Sequence, residues 1–134
     1  MNILARWGKF SAVGALGMAL QLGLLAVFDR WMPGHYVWAS SAAIEIALIH
    51  NFVWHLRFTW RDRGDAGAAP RRFARFQLSN GAISLAGNAV AMPVLVEVAR
   101  LPPVAANLAA IGLCSAANFW VGNRWVFAKS ARID

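Results

Sequence analysis

Four stretches of this chain run for about twenty residues with almost no charge, and short polar or proline-rich breaks separate them. They extend from about Lys9 to Phe28, Val37 to Leu56, Phe76 to Val98 and Val104 to Val126. A bilayer core of about 30 Å needs roughly 20 helical residues, so each stretch predicts one membrane-spanning helix. Between them, Asp29-Arg30-Trp31-Met32-Pro33-Gly34-His35 reads as a turn, Arg61-Asp62-Arg63-Gly64-Asp65-Ala66-Gly67 as a flexible polar connection, and Leu101-Pro102-Pro103 as a short hinge. Short connections predict antiparallel neighbours. The expected architecture is an all-α membrane protein of four transmembrane helices, a single integral membrane domain over 1–134 made of two helical hairpins. The first covers about 6–60, a loop about 61–71, and the second about 72–127.

The two hairpins repeat each other. Asn51-Phe52-Val53-Trp54-His55-Leu56-Arg57-Phe58-Thr59-Trp60 is echoed by Asn118-Phe119-Trp120-Val121-Gly122-Asn123-Arg124-Trp125-Val126-Phe127, keeping Asn-Phe, then Arg, then paired large apolar residues in register. Upstream, Arg6-Trp7-Gly8-Lys9-Phe10 aligns with Arg72-Phe73-Ala74-Arg75-Phe76, so both first helices begin on two basic and two aromatic residues, read here as matched interfacial anchors.

Composition agrees with a membrane setting. Hydrophobic residues make up 59% of the 134 and charged residues 14%, too few to coat a water-soluble sphere, and seven Trp with eight Phe suit a lipid interface. The net charge of +7 raises nucleic acid as a partner, but the basic residues flank apolar spans and no soluble basic domain carries them, so anionic lipids are the expected partners. Arg6 and Lys9 before an apolar run resemble a signal peptide, yet the run continues to Phe28, which predicts a retained first membrane helix. Cys114, alone, can form no internal disulfide and reads as a small buried hydrophobe.

Charge placement sets the expected orientation. Arg6, Lys9, Arg57, Arg61, Arg63, Arg71, Arg72, Arg75, Arg124, Lys129 and Arg132 fall on one side and only Arg30 and Arg100 on the other. Lys and Arg accumulate on the cytoplasmic side, so both termini and the central loop are expected in the cytoplasm (N-in/C-in) of an inner-membrane, multi-pass protein. Each half then starts and ends inside, which makes the halves parallel repeats about an axis along the membrane normal.

Several polar residues fall within the spans. Glu45 lies near the middle of the second, where an ionised carboxylate costs about 2.5–3.5 kcal/mol on insertion scales. It carries a proton, meets a cationic or hydroxyl-rich substrate, or sits as a neutral acid bonded to a neighbouring helix; the second half has Gly112 in its place. Asn107, Ser115 and Asn118 return to nearly one face of the last helix, Asn80, Ser84 and Asn88 stack four apart on the third, and Gln21 shares a face with Gly14 on the first. Such side chains either bond helices together or line a polar cavity, and the pattern admits both. Ser11, Ala15, Ala19 and Gly23 form a small-residue ridge expected to admit a close neighbour, and Pro93 is expected to kink the third helix.

The strongest chemistry lies at the cytoplasmic ends. Asn51, His55 and Arg57 follow Glu45 and His50 down one helix, and Asn118, Asn123 and Arg124 descend the other, offering amide and guanidinium donors suited to a phosphate or phosphodiester. For any single Arg, snorkelling beside belts of Trp54, Trp60, Trp120 and Trp125 is the competing explanation. His50 and His55 are five apart, not on the i, i+4 face of a two-His site, so no metal and no cofactor is expected. Nothing in the chain resembles a Ser-His-Asp arrangement or a phosphate-cradling Gly-rich loop, and no enzyme activity is expected.

The opening Arg6 to Phe10 with Val13-Gly14, the stretch Glu45 to Trp60, the re-entry Arg72 to Phe76 and the closing Asn118 to Phe127 together resemble the GtrA-like proteins, small four-helix membrane proteins associated with polyprenyl-phosphate-linked sugars. The resemblance spans Arg6 to Phe127 and implies translocation of a polyprenyl-phosphate-linked sugar to the outer leaflet for cell-surface polysaccharide or lipid glycosylation. On that expectation Asn51, His55, Arg57, Asn118, Asn123 and Arg124 bind the phosphate headgroup, while Glu45, His50, Gln21, Asn88 and Asn107 meet the sugar or carry a proton. The first half has Leu56 where the second has Asn123, so the Asn-Arg pair is complete only in the second. Two alternatives stand beside it: a non-transporting accessory subunit that holds a glycosyltransferase at the membrane, and a proton-coupled small-solute exporter using Glu45. Four helices this short enclose little volume, so a second copy or a partner enzyme is expected to complete the pathway.

Overall fold

A computed structural model describes the backbone of residues 1–63 and 66–128, with side chains described except at positions 36, 66 and 88. The protein has four long apolar helices, and no strand occurs among the described residues. Helix α1 spans Ile3–Trp31, α2 Tyr36–Trp54, α3 Ala69–Ala86 and α4 Pro103–Val121. Three of them continue as π-helical turns: α2 through His55–Thr59, α3 through Gly87–Ala91 and Val94–Val98, and α4 through Gly122–Val126. With these extensions each is long and apolar enough to cross a membrane, which makes this a multi-pass membrane protein. The first and third helices start well before Lys9 and Phe76, at Ile3 and Ala69, so the basic entrance residues are helical.

The helix ends follow local chemistry. Asn2 caps α1 by accepting the Ala5 N–H at 2.8 Å. After α1 the chain reverses with a His35 N–H to Met32 C=O bond of 3.0 Å, Pro33 second in the turn and Gly34 third at φ 80°, a backbone value open to glycine without strain. Pro93 does not break α3: π turns on either side absorb it, each shifting bonding partners by one residue where proline offers no N–H. Beyond Val98 the chain leaves the helix through Arg100 at φ 57°, a left-handed cap that costs an L-residue about 1 kcal/mol.

The chain divides into two compact units, Met1–Gly64 and Asp65–Asp134. In the first, α1 packs on α2 through Arg6, Phe10, Val13 and Gly17, a 4-3-4 spacing that keeps one stripe facing a partner, against Ala39, Ala43, Ala47 and Phe52. In the second, α3 packs on α4 through Arg72, Phe76, Ser79 and Gly87 against Ala106, Ala110 and Phe119. Because lipid tails are as apolar as leucine, these contacts depend on close backbone approach more than on hydrophobicity, which explains the alanines and glycines. The ridge Ser11, Ala15, Ala19, Gly23 is exposed within the first unit, and Gly17 on another face makes the close approach.

Candidate functional site

The two units finish in the same way. The π turn of the first ends with the Trp60 N–H bonded to the His55 C=O at 2.8 Å, and that of the second with the Phe127 N–H bonded to the Gly122 C=O at 2.9 Å, 67 residues on. Trp60 and Phe127 are fully buried, as are Thr59 and Val126 before them. Each closing ring meets a phenylalanine of the first long helix of its own unit: Trp60 lies edge-on to Phe10 at 6.0 Å and Phe127 is tilted against Phe76 at 6.2 Å. The wider 16-atom ring of a π turn rotates the helix exit by one residue and so turns these large rings inward.

Cations sit over aromatic rings at both ends. The Lys9 ammonium lies 4.6 Å from the Phe58 ring centre, and the Arg75 guanidinium 5.3 Å from that of Trp125, at equivalent positions. Such contacts contribute about 0.5–2 kcal/mol each. Arg124 stacks on Trp120 at 4.2 Å, while Arg57 is exposed. Both arginines thus remain at the unit surface, with Arg124 oriented by its ring.

The asparagines fare differently. Asn51 lies against Gly17, where a Cβ would overlap its carboxamide, and its Oδ1 is 3.3 Å from His50 Nδ1. At the sequence positions that correspond to Gly17 and His50 the second unit has Ile83 and Ala117, and Asn118 Oδ1 is buried with no hydrogen-bond partner among the described residues. Asn123 is half-buried.

His55 is 2% exposed. Its ring stacks on Phe10 at 5.0 Å and 11°, meets Trp60 edge-on at 5.2 Å, and its Nδ1 lies 3.0 Å from Thr59 Oγ1. That environment supports the closing turn of the first unit; the second has Gly122 there. Of the remaining residues singled out by sequence, His50 is half-buried beside Trp54, Gln21 is half-buried, and Glu45 and Asn107 are exposed within their units. The structure brings His50 to Asn51 and leaves Glu45 about one and a half turns away on α2. The Asn88 side chain lies outside those described. Asn80 bonds back to the Phe76 C=O of its own helix at 2.9 Å, a helix-internal use of its amide.

Two residues of this end were read from the sequence only as interfacial anchors. Arg6 and Arg72 are each 4% exposed, buried at equivalent positions against the closing turn. Arg6 donates to Asp62 Oδ2 at 2.7 Å. Desolvation pushes the Asp62 carboxyl upward, but the Arg6 charge and hydrogen bond, a backbone bond and the nearby Arg63 outweigh it and hold the group below its ordinary value. Arg72 instead donates to the Ala128 C=O at 3.4 Å, and Arg75 to the Trp125 C=O at 3.3 Å. The signal for these roles was the Arg-x-x-x-Phe echo itself, since a guanidinium placed one turn before a buried ring is drawn under the neighbouring helix end.

No group of three or more His, Cys, Asp or Glu that could hold a metal occurs among the described residues. The ends of both units instead offer guanidiniums, an ammonium and carboxamides among aromatic rings, a donor set for an oxyanion at the edge of an apolar region. Comparison with curated proteins yields no match. Residues 9–127 match the family described as GtrA/DPMS, transmembrane domain, so this membrane chain belongs to that family.

Proposed function

We propose that the protein moves a polyprenyl-phosphate-linked sugar across the cytoplasmic membrane, supplying cell-surface polysaccharide or lipid glycosylation. Family membership supports the handling of such lipids. The observation that carries the reading is the matched pair of ends, where Lys9 over Phe58 and Arg75 over Trp125 repeat one cation-aromatic arrangement beside Arg57 and Arg124. In this reading the units are parallel repeats, and both termini and the loop between units face the cytoplasm, as the eleven-to-two division of Lys and Arg favours. The matched ends then lie at the cytoplasmic headgroup level. Within the first unit Arg57 takes a phosphate, Asn51 and His50 meet sugar hydroxyls, His55 holds the closing turn, and Glu45 and Gln21 offer polar contacts in the apolar region; within the second, Arg124 and Asn123 take a phosphate, Asn118 meets a sugar hydroxyl, and Asn88 and Asn107 offer the polar contacts.

The test is transfer of labelled polyprenyl phosphosugar in proteoliposomes. Arg57→Ala or Arg124→Ala, in protein that remains folded and inserted, should lower transfer, and undiminished transfer in both removes these roles. The accessory-subunit reading draws on the same basic face, which docks a soluble domain as readily as a phosphate. Co-purification of a glycosyltransferase together with absent transfer by the isolated protein would favour it.

A further inference from the structure

The buried arginines at the two ends differ in how their charge is neutralised. Arg6 has a carboxylate, Asp62, at 2.7 Å within its own unit. Arg72, equally buried, has only the neutral Ala128 carbonyl at 3.4 Å, and among the described residues no carboxylate pairs with it. Its neighbour one turn on, Arg75, is likewise bonded, among the described residues, to a carbonyl alone, at 3.3 Å, besides its stacking on Trp125. Both bonds are at or beyond the long end of the usual range, and each guanidinium has five N–H donors.

The second unit cannot supply the missing charge from its described residues. Between positions 66 and 128 the acids reduce to Glu97, which lies 25 residues along the helix from Arg72, about 37 Å at 1.5 Å per residue. In sequence, the position equivalent to Asp62 is Lys129, a base. Carbonyls at a helix C-terminus carry about half an elementary charge in total. That is insufficient for two guanidiniums, one of them buried, and an uncompensated buried charge costs several kcal/mol.

From this we infer that Arg72 and Arg75 receive the phosphate of a lipid at this end of the second unit, an exogenous oxyanion taking the place that Asp62 fills in the first. A phosphate suits them because it accepts in a plane from forked guanidiniums, and its lipid chain continues into the apolar surroundings. The inference rests on the proposed function for which lipid this is; the polyprenyl phosphate carrier and a bulk anionic phospholipid present the same chemistry. It makes the halves unequal at these two positions: Arg6 has its own counter-ion, and Arg72 is open to a ligand.

The full-length protein in detergent, probed separately with undecaprenyl phosphate and phosphatidylglycerol by native mass spectrometry, tests this. Ala128→Asp supplies a carboxylate beside Arg72 without emptying a buried site, and should weaken lipid phosphate binding about tenfold, the loss of a charge-assisted bond. Arg72→Gln should do the same if it folds. Asp62→Asn should do the opposite, adding a second retained lipid by exposing the charge of Arg6. Loss for undecaprenyl phosphate alone identifies the carrier, and loss for both lipids identifies a general headgroup site; either supports the inference. Wild-type binding of both lipids by Ala128→Asp overturns it. Should that occur while Arg124→Ala abolishes transfer, the transport reading survives without this site.

Discussion

The carboxamide of Asn51 rests on the bare Cα of Gly17, and that contact sets how closely α1 and α2 approach. A β-carbon at Gly17 has no room unless Asn51 moves, and moving it gives up the His50 contact. Gly17→Leu should therefore destabilise the first unit by about 1–3 kcal/mol, the usual cost of overpacking. Gly14→Ala and Gly23→Ala, whose new methyl groups meet nothing within 4 Å, should leave stability unchanged. Thermal unfolding in detergent, followed by loss of the monodisperse peak, distinguishes the three; equal behaviour would show that the contact does not set the helix spacing.

The Arg6–Asp62 pair should give the first unit an acid-sensitive component. The Asp62 carboxyl lies below its ordinary 3.8 because the folded state favours its charged form. The stabilisation is fully present above that ordinary value and disappears as pH falls through the lowered one. Asp62→Asn should cost about 1–2 kcal/mol at neutral pH, between the ranges for exposed and buried pairs. It should also flatten the decline in stability below about pH 4. An unaltered acid limb in the variant would show that Arg6 is satisfied without this partner.

The four spans and their breaks were legible because they depend on apolar length and on Pro33-Gly34 and Pro102-Pro103. Packing was not. Helices apolar on every side carry no stripe to mark the buried face, so the sequence marks Ser11, Ala15, Ala19 and Gly23 as the close-approach ridge, whereas Gly17 makes the approach. The π turns escaped for a related reason: a 3.6-residue period does not register the one-residue rotation that turns Trp60 and Phe127 inward. Arg6 and Arg72 seemed to be snorkelling anchors because burial of their guanidiniums depends on that rotation.

His55 separates a packing role from a headgroup role. Its ring fills the space among Phe10, Thr59 and Trp60, so His55→Ala should cost about 2–4 kcal/mol through the cavity left behind. His55→Phe keeps the stacking and gives up the Thr59 contact, and should cost about 1 kcal/mol. If the ring acts by packing, transfer by the Phe variant stays near wild type. A large loss of transfer in a stable His55→Phe protein would instead assign the imidazole to the headgroup.

Asn118 should trade stability against function. Its Oδ1 is buried without a partner among the described residues. An unsatisfied buried acceptor costs about 1–3 kcal/mol, and replacing it with an apolar group of similar size relieves that cost. Asn118→Leu should accordingly be as stable as wild type or up to about 1 kcal/mol more stable, whereas Asn51→Leu, which gives up the His50 contact, should be less stable. If the open acceptor awaits a sugar hydroxyl, Asn118→Leu should reduce transfer of polyprenyl phosphosugar about tenfold despite its stability. Full transfer in the stabilised variant would reduce Asn118 to a packing defect, and loss of both stability and transfer would mean that the oxygen has an intramolecular partner after all.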